Sequence, residues 1–195
     1  MSTVPNTHAP GEQISDWKAA LALLEEGNKR YLSGNTAPRV LSAKERQELA
    51  AGQKPFAAIL TCADSRTPPE IIFDQNMGNI FVVRNAGNFA DNATMGSLEF
   101  ATAFLKAPLV IVMGHSQCGA VEGALAGAEF AGNLGDVIGA IRPGISGSAD
   151  ANEAIKANIL ANVKAIKDNA VIKQAGAQVL GAFYDIATGK AEFYK

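Results

Sequence analysis

The sequence predicts an α/β fold: a single domain with a mostly parallel central sheet flanked by helices and an N-terminal helical arm. At 195 residues the chain has the length of one domain with a sizeable core. Short apolar runs at 56–60, 80–83 and 109–113 are typical of strands that are covered on both faces. Helix-compatible segments at 68–73 and 93–106 separate these runs. Strands that alternate with helices in this way favour a parallel sheet.

The helical arm follows a polar, proline-containing lead-in, which covers residues 1–14 and is predicted to be flexible. Ser15 can cap a first helix, whose apolar residues recur with the helical period until the helix ends near Gly34. We therefore expect the folded domain to span residues 15–195.

Four further elements are predicted from local patterns before and after the sheet. Ser42 and Glu45 form a capping box that starts a second short helix. Isoleucine and valine recur at helical spacing between 155 and 166, which predicts a long amphipathic helix. The segment 178–184 has the pattern of a strand, and the turn sequence ATGK leads into a short final strand at 191–194.

Charge and composition disfavour several classes of partner. A formal net charge of −2 gives no basic surplus for binding phosphate backbones. No apolar stretch approaches the ~20 residues that span a bilayer, and the first residues lack the basic and apolar regions of a secretory signal. We therefore expect a cytoplasmic protein with no nucleic-acid or membrane partner, whose two cysteines are reduced thiols.

Three metal-binding side chains follow two of the predicted strands. Cys62 ends the first strand, and His115 ends the third, three residues before Cys118. Ligands gather at the carboxyl ends of strands in open parallel sheets, so both groups fall at one edge. Near the start of a predicted helix, His115 and Cys118 can point at one atom, and the positive helix end favours the Cys118 thiolate. Two thiolates and one imidazole suit zinc, and three protein ligands leave a fourth position open, as in catalytic sites.

Asp64 and Arg66 stand two and four residues beyond Cys62. The planar guanidinium can bind the carboxylate side-on and hold it away from the metal, whose open position it would otherwise fill. Held in this way, Asp64 can accept a hydrogen bond from a zinc-bound hydroxide, which forms near neutral pH because zinc lowers the pKa of its water. The residues alone thus predict zinc-hydroxide attack on a small electrophile, and they do not name that electrophile.

Each of these features also has a simpler interpretation. The cysteines can be buried apolar fillers, and Asp64 with Arg66 can be a surface ion pair. The stretch GHSQCG is close to the nucleophile elbow of serine hydrolases, but Cys118 replaces its second glycine and no histidine follows His115. A nucleophilic Cys–His pair is a further alternative, although it gives the Asp–Arg pair no role.

Several segments of the chain resemble the β-class carbonic anhydrases. The similar stretches are CADSRTPPEIIFDQNMGNIFVVRNAGN, GSLEFA, VIVMGHSQCGAV and GAFYDIATGKAEF, and the similarity covers roughly residues 15–195. The paired C-x-D-S-R and H-x-x-C motifs are highly specific to this family. The resemblance implies reversible hydration of carbon dioxide to bicarbonate and a proton, with one zinc ion per subunit of a homodimer or a dimer of dimers.

The resemblance also implies a role for each residue of these motifs. Cys62, His115 and Cys118 match the zinc ligands, and Asp64 with Arg66 matches the catalytic dyad. In some members the aspartate becomes a fourth metal ligand in an inactive closed state, so Asp64 is a candidate for both roles.

Substrate-binding positions follow from the same resemblance. Gln53 matches a glutamine that reaches into the neighbouring subunit's site, and Phe81 and Ala86 match positions that line a small apolar pocket. Three departures concern pocket polarity and regulation. Thr67 replaces the usual valine of the motif, Phe100 stands where a tyrosine is common, and Ile59 replaces the tryptophan of bicarbonate-inhibited members.

Two alternative functions are compatible with the same pattern. The first is hydrolysis of carbonyl sulfide or carbon disulfide, but related hydrolases often carry C-M-D-A-R where this chain has C-A-D-S-R. The second is a non-catalytic, zinc-stabilised dimer. The intact Asp64–Arg66 pair argues against it, because a structural zinc prefers four closed ligands and needs no dyad.

Overall fold

The computed structural model of the protein describes residues 13–37 and 41–194. Its central sheet has the strand order β2-β1-β3-β4-β5, in which the first three pairings are parallel and β5 runs antiparallel to β4. The predicted α/β fold with a mostly parallel sheet is confirmed. The strands are β1 (Ala57–Cys62), β2 (Ile80–Asn85), β3 (Leu109–His115), β4 (Gln178–Tyr184) and β5 (Ala191–Tyr194).

Helices cover both faces of this sheet. A π-helical turn (Phe100–Phe104) extends α4, and a 3-10 turn (Arg142–Ile145) follows α6. In the described part of the chain no helix combines the length and apolar character needed to span a bilayer. The α-helices there are α1 (Trp17–Ser33), α2 (Ala43–Ala50), α3 (Pro69–Ile72), α4 (Asn92–Glu99), α5 (Gly119–Leu125), α6 (Asn133–Ile141), α7 (Ala151–Asp168) and α8 (Ala170–Ala175).

Strand β1 shows why the apolar runs are continuous in the sequence. All six of its residues are buried, and successive side chains enter opposite layers of the core. Ala58 and Leu60 pack in the layer that holds side chains of α4, α5 and α7. Ala57 and Ile59 pack in the layer that holds side chains of α1 and α3. Because both faces are covered, no polar alternation is needed along the strand.

The N-terminal arm differs from the prediction at one end. The cap of α1 is Asp16 rather than Ser15, because the Asp16 carboxylate accepts the Lys18 N–H at 3.1 Å. At the other end α1 stops at Gly34, as predicted, and Gly34 has the left-handed conformation that often closes helices. The capping box at the start of α2 is confirmed. Most of the predicted lead-in, 1–14, lies outside the described residues.

The helix predicted over 93–106 does not continue as a regular α-helix. It changes after Glu99 into the π-helical turn, in which the Leu105 N–H donates to the Phe100 carbonyl at 3.0 Å. The Thr102 hydroxyl donates to the Leu98 carbonyl at 2.8 Å and so competes for a carbonyl of the helical ladder. The tail follows the prediction closely, since β4 and β5 have the predicted bounds and α7 buries the predicted apolar row.

Candidate metal centre

The parallel sheet brings Cys62, His115 and Cys118 together at one edge. Cys62 and His115 are the last residues of β1 and β3, which are neighbours, and Cys118 caps α5. The donor atoms of the three side chains lie within 4.8 Å of one another. The residues are 5%, 0% and 1% exposed, respectively. The cluster is thus close enough for one ion to touch all three donors, and it is shielded from bulk water.

A two-residue loop, rather than one helix, joins His115 to Cys118. The three-residue spacing suggested that both lie near a helix start, but His115 ends β3 and only Cys118 belongs to the start of α5. Gln117 has a φ of 57°, and this left-handed conformation turns the chain back so that Cys118 returns to His115. The Ser116 N–H donates to the Tyr184 carbonyl at 2.9 Å and anchors the loop to β4.

The surroundings of His115 select one of its nitrogens for a metal. Its Nδ1 lies 2.9 Å from the Ser116 carbonyl, an acceptor, so Nδ1 carries the proton. Nε2 is buried and has no hydrogen-bond partner in the described ranges, which leaves its lone pair available. Burial alone lowers the pKa of His115, but interactions with Cys62 and with the Ser116 carbonyl outweigh it, so the net direction is upward.

The two thiols interact, and the interaction shifts their pKa values in opposite directions. The Cys118 thiol lowers the pKa of Cys62 against the cost of burial, and His115 and the Gly87 N–H add to the effect. The same interaction and burial raise the pKa of Cys118. The backbone N–H groups of Val121 and Ala120 at the helix start lower the pKa of Cys118, as predicted, but the interaction with Cys62 outweighs them. A metal bound to both sulfurs would deprotonate both.

Asp64 and Arg66 form a side-on ion pair beside the cluster. The Arg66 Nε donates to Asp64 Oδ1 at 2.9 Å, and an Nη2–H donates to Oδ2 at 2.7 Å. The Arg66 backbone N–H donates to Oδ1 as well, at 2.9 Å. These bonds hold the pKa of the Asp64 carboxyl well below its usual range. Asp64 is not among the clustered donors, so the structure has it in the ion-paired arrangement.

A second arginine holds the backbone of this loop, and sequence reasoning missed it. Arg84, on β2, donates to the Cys62 carbonyl at 3.0 Å and to the Asp64 carbonyl at 2.6 Å. The buried Thr67 hydroxyl donates to the same two carbonyls, at 3.3 and 3.0 Å. The signal that could have found Arg84 is a charged residue in the apolar run of β2, one position before the strand ends.

The predicted substrate-binding residues separate into two groups. Ala86 is half-buried and precedes Gly87, whose N–H donates to the Cys62 sulfur at 3.3 Å, so Ala86 lies beside the cluster. Phe81 is level with Ala58 in the sheet, four residues from the level of Cys62, or roughly 13 Å at the usual rise of a strand. Gln53 is exposed and precedes the opposite end of β1. The fold therefore does not bring Gln53 and Phe81 to the metal cluster of their own chain.

Comparisons with known proteins agree with this geometry. The family model described as carbonic anhydrase matches residues 57–191. Carbonic anhydrase 2 of Mycobacterium tuberculosis is 44% identical over 146 residues, which cover 73% of this chain and 67% of the relative. Carbonic anhydrase of Mycolicibacterium smegmatis is 34% identical over 193 residues, which cover 92% of each chain. A solved structure of tetrameric β-carbonic anhydrases from the ascomycete Sordaria macrospora superposes with a TM-score of 0.69 at 26% identity, over 91% of this chain and 94% of that one.

The fold and the cluster together define an α/β enzyme with a candidate metal centre at the carboxyl edge of its sheet. The family match and the curated relatives make the assignment specific. This chain belongs to the carbonic anhydrase family, in its β class.

Proposed function

We propose that the protein hydrates carbon dioxide reversibly to bicarbonate and a proton, at one zinc ion per subunit. The ion would be held by Cys62, His115 and Cys118. The observation that carries the proposal is the buried cluster of two sulfurs and one nitrogen beside an ion-paired aspartate. Two soft sulfur donors and an imidazole suit zinc, and three protein ligands leave one position open for chemistry.

The donor set fits zinc in its protonation as well as in its composition. The Ser116 carbonyl fixes the His115 tautomer and leaves Nε2 as the donor nitrogen. The Cys118 thiol and the Gly87 N–H both lower the pKa of Cys62, which favours the thiolate form that zinc binds. When bound, zinc supplies the Lewis acidity that makes water a nucleophile near neutral pH.

Asp64 is proposed to orient the proton of the nucleophile. A carboxylate has about four acceptor positions, and Arg66 fills three of them in the described structure. The position that is left can accept a proton-bearing group next to the cluster. Because Arg66 keeps Asp64 ionised, the carboxylate accepts and does not donate, which fixes the direction of that hydrogen bond.

A second copy of the chain is proposed to pack on the β2 edge of the sheet. Among the described strands β2 has only β1 as a neighbour, so its other side is an edge. Next to it, Phe100 is 44% exposed and Phe104 is 73% exposed. Their rings stack with centroids 5.0 Å apart, and the Phe81 ring lies 6.2 Å from Phe100. An apolar patch beside an edge strand is a surface that a homodimer would cover.

In a two-fold symmetric dimer, Gln53 and Phe81 would lie near the metal cluster of the partner, although they lie far from the cluster of their own chain. The segment after Gln53 enters β1 beside the start of β2, where the Phe56 N–H donates to the Asn79 carbonyl at 2.9 Å. We place the two-fold axis at the β2 edge perpendicular to the strands, which makes the facing strands antiparallel. The start of one β2 then lies near the end of the other, which is the end that carries the metal cluster. Gln53 and Phe81 are therefore proposed to serve the partner's site, as a dimer or as half of a dimer of dimers.

Activity and metal content test the central proposal together. Stopped-flow measurement of carbon dioxide hydration, with elemental analysis of the same sample, should show turnover with about one zinc ion per chain. Carbonyl sulfide and carbon disulfide are assayed in parallel by sulfide release. Zinc with sulfide release and no hydration would favour the hydrolase, and zinc without turnover on any substrate would favour a structural dimer.

The shared site is tested with mixed dimers. Gln53→Ala keeps the metal ligands, and Cys62→Ser loses one ligand but keeps Gln53, so each homodimer should have low activity. A purified mixed dimer with a different affinity tag on each chain rebuilds one complete site and should exceed the average of the two parents. The control variant is Lys54→Ala, which changes the exposed residue next to Gln53. It takes the place of Gln53→Ala in a second mixed dimer, and its own homodimer should stay active. Activity equal to the parental average would overturn the shared-site proposal.

The cytoplasm is the compartment we propose for this protein. Both cysteines are unpaired and buried, and thiolate ligands require reducing conditions to stay available. Cell fractionation with an epitope-tagged chain tests this, and recovery with exported proteins would contradict it.

A further inference from the structure

A tight turn after β2 aims one backbone N–H at the proposed metal ligand Cys62. The turn spans Asn85–Asn88, and the Asn88 N–H donates to the Asn85 carbonyl at 3.3 Å. Gly87 is its third residue and has a φ of 81°, as type II turns require. Its N–H donates to the Cys62 sulfur at 3.3 Å. A side chain at this position would also meet Ile141, since a Cβ there would lie 2.4 Å from Cδ1.

Two asparagines of α7 hold this turn from the other side. The Asn158 amide donates to the Gly87 carbonyl at 2.8 Å, and the side chain of Asn158 is buried. The Asn162 amide donates to Asn158 Oδ1 at 3.1 Å and to its carbonyl at 2.8 Å. Asn162 Oδ1 accepts the Ala90 N–H at 2.8 Å. The turn is therefore fixed at two points by a helix that contributes no metal donor.

We propose that Asn158, supported by Asn162, is a positioning residue for the metal centre. It holds the Gly87 turn so that the Gly87 N–H stays on the Cys62 sulfur. An N–H dipole on a thiolate withdraws electron density from the sulfur and stabilises its charge, and outer partners of this kind tune both metal affinity and ligand strength. The inference rests on the proposed function, because it requires a metal ion on Cys62.

The test is Asn158→Ala in the metal-loaded protein. Removal of an outer-shell partner typically costs about 10–100-fold in metal affinity. Asn158 acts through one turn, so we expect about the lower figure, a tenfold faster loss of zinc to a chelator. In the cobalt-substituted protein the thiolate-to-metal charge-transfer band should move to longer wavelength, because the sulfur loses its hydrogen bond.

Asn28 supplies a matched control on the opposite face of the sheet. It is also a buried asparagine, and its amide donates to the carbonyls of Ile72 and Gly189 at 3.1 and 3.0 Å. Asn28→Ala should lower the melting temperature to an extent comparable with Asn158→Ala, but it should leave zinc release and the cobalt spectrum at the parent values.

A second measurement needs no variant. In the parent protein loaded with an NMR-active cadmium isotope, the Gly87 amide proton should show a scalar coupling to the metal through the Cys62 sulfur. Absence of that coupling, or zinc release and cobalt spectra of Asn158→Ala that equal those of Asn28→Ala, overturns the inference. A parent protein that binds no zinc would instead overturn the proposed function, so the two failures are distinguishable.

Discussion

The loop after β1 and the loop after β3 meet at the same edge of the sheet, but different interactions hold them. Residues 63–67 carry the Asp64–Arg66 pair, are partly exposed, and are held by side chains such as Arg84 and Thr67. The loop of Ser116 and Gln117 is held by its backbone conformation and by a backbone bond to β4, and in addition the Ser116 hydroxyl accepts the Ile186 N–H and Arg66 donates to the Gln117 carbonyl. The first arrangement leaves a carboxylate within reach of solvent, and the second encloses the donors.

Under the proposed function, this difference would make binding the metal and orienting the reacting proton largely separable tasks. Substitutions in the β3 loop should act on metal content and stability. Substitutions in the β1 loop beyond Cys62 should act on turnover with the metal retained. The predictions below test this separation, beginning with the largest expected effect.

The largest effect is expected from Cys118→Ser. Loss of one ligand should remove the metal and abolish activity, because the remaining donors form an incomplete set. If the metal is present at a thousandfold excess over its Kd, its loss costs about 4 kcal/mol of stability, or roughly 10 °C in melting temperature for a chain of this size. Elemental analysis and thermal unfolding measure both.

Ser116→Ala is the control for this prediction. The Ser116 hydroxyl accepts the Ile186 N–H at 3.0 Å but belongs to no donor set, so the variant should keep its zinc. Full zinc content in Cys118→Ser would contradict the proposed ligand set.

The next largest effect is expected from Asp64→Asn and Arg66→Met. Both should keep the metal, because neither residue is in the donor cluster. Loss of the group that orients the reacting proton should lower kcat by about 10²–10⁴-fold. The exposed pair Glu26–Lys29, at 2.6 Å, supplies the control, and Glu26→Gln should leave turnover unchanged. Zinc-loaded variants that turn over at the parent rate would remove the dyad from the mechanism.

A smaller effect is expected at Gln117, whose left-handed backbone shapes the β3 loop. Gln117→Val places a β-branched residue in that conformation and should cost about 1–2 kcal/mol of stability. Gln117→Gly accepts the same φ without strain and should stay close to the parent. Urea unfolding of the two variants measures the difference, and equal stability would mean that the loop does not depend on this conformation.

The smallest effect is expected from Thr67→Val. The two carbonyls that Thr67 contacts also accept bonds from Arg84, so neither is left unpaired. The loss should be about 1 kcal/mol or less, with turnover near the parent value. Arg84→Met removes the other clamp and should cost more in both stability and turnover. A larger loss of stability and turnover in Thr67→Val than in Arg84→Met would contradict this ranking of the two side chains.

The sequence was sufficient to predict that Cys62, His115 and Cys118 cluster, because their placement depends on strand ends. Cys62 and His115 close two continuous apolar runs, and parallel strands align their carboxyl ends. The capping box of α2 and the turn before β5 were predictable for a similar reason, since each is a local pattern.

Other features depend on contacts between residues far apart in the chain. Arg84 holds the β1 loop only because β2 lies beside β1 with a particular register. Asn158 reaches the Gly87 turn across 71 positions, and its helix shows only an amphipathic pattern in the sequence. A resemblance assigns Gln53 to a substrate site but only the fold shows that this residue lies far from its own metal cluster.

The long connection between β1 and β3, the strands that end at Cys62 and His115, affects how the protein acquires its metal. Cys62 and Cys118 are 56 positions apart, and the whole of β2 and α4 lies between them. Closing so long a loop costs conformational entropy before native contacts between the two strands can offset that cost. The nascent chain therefore has no complete set of donors until β1 and β3 have paired. We expect metal capture to be a late event in folding.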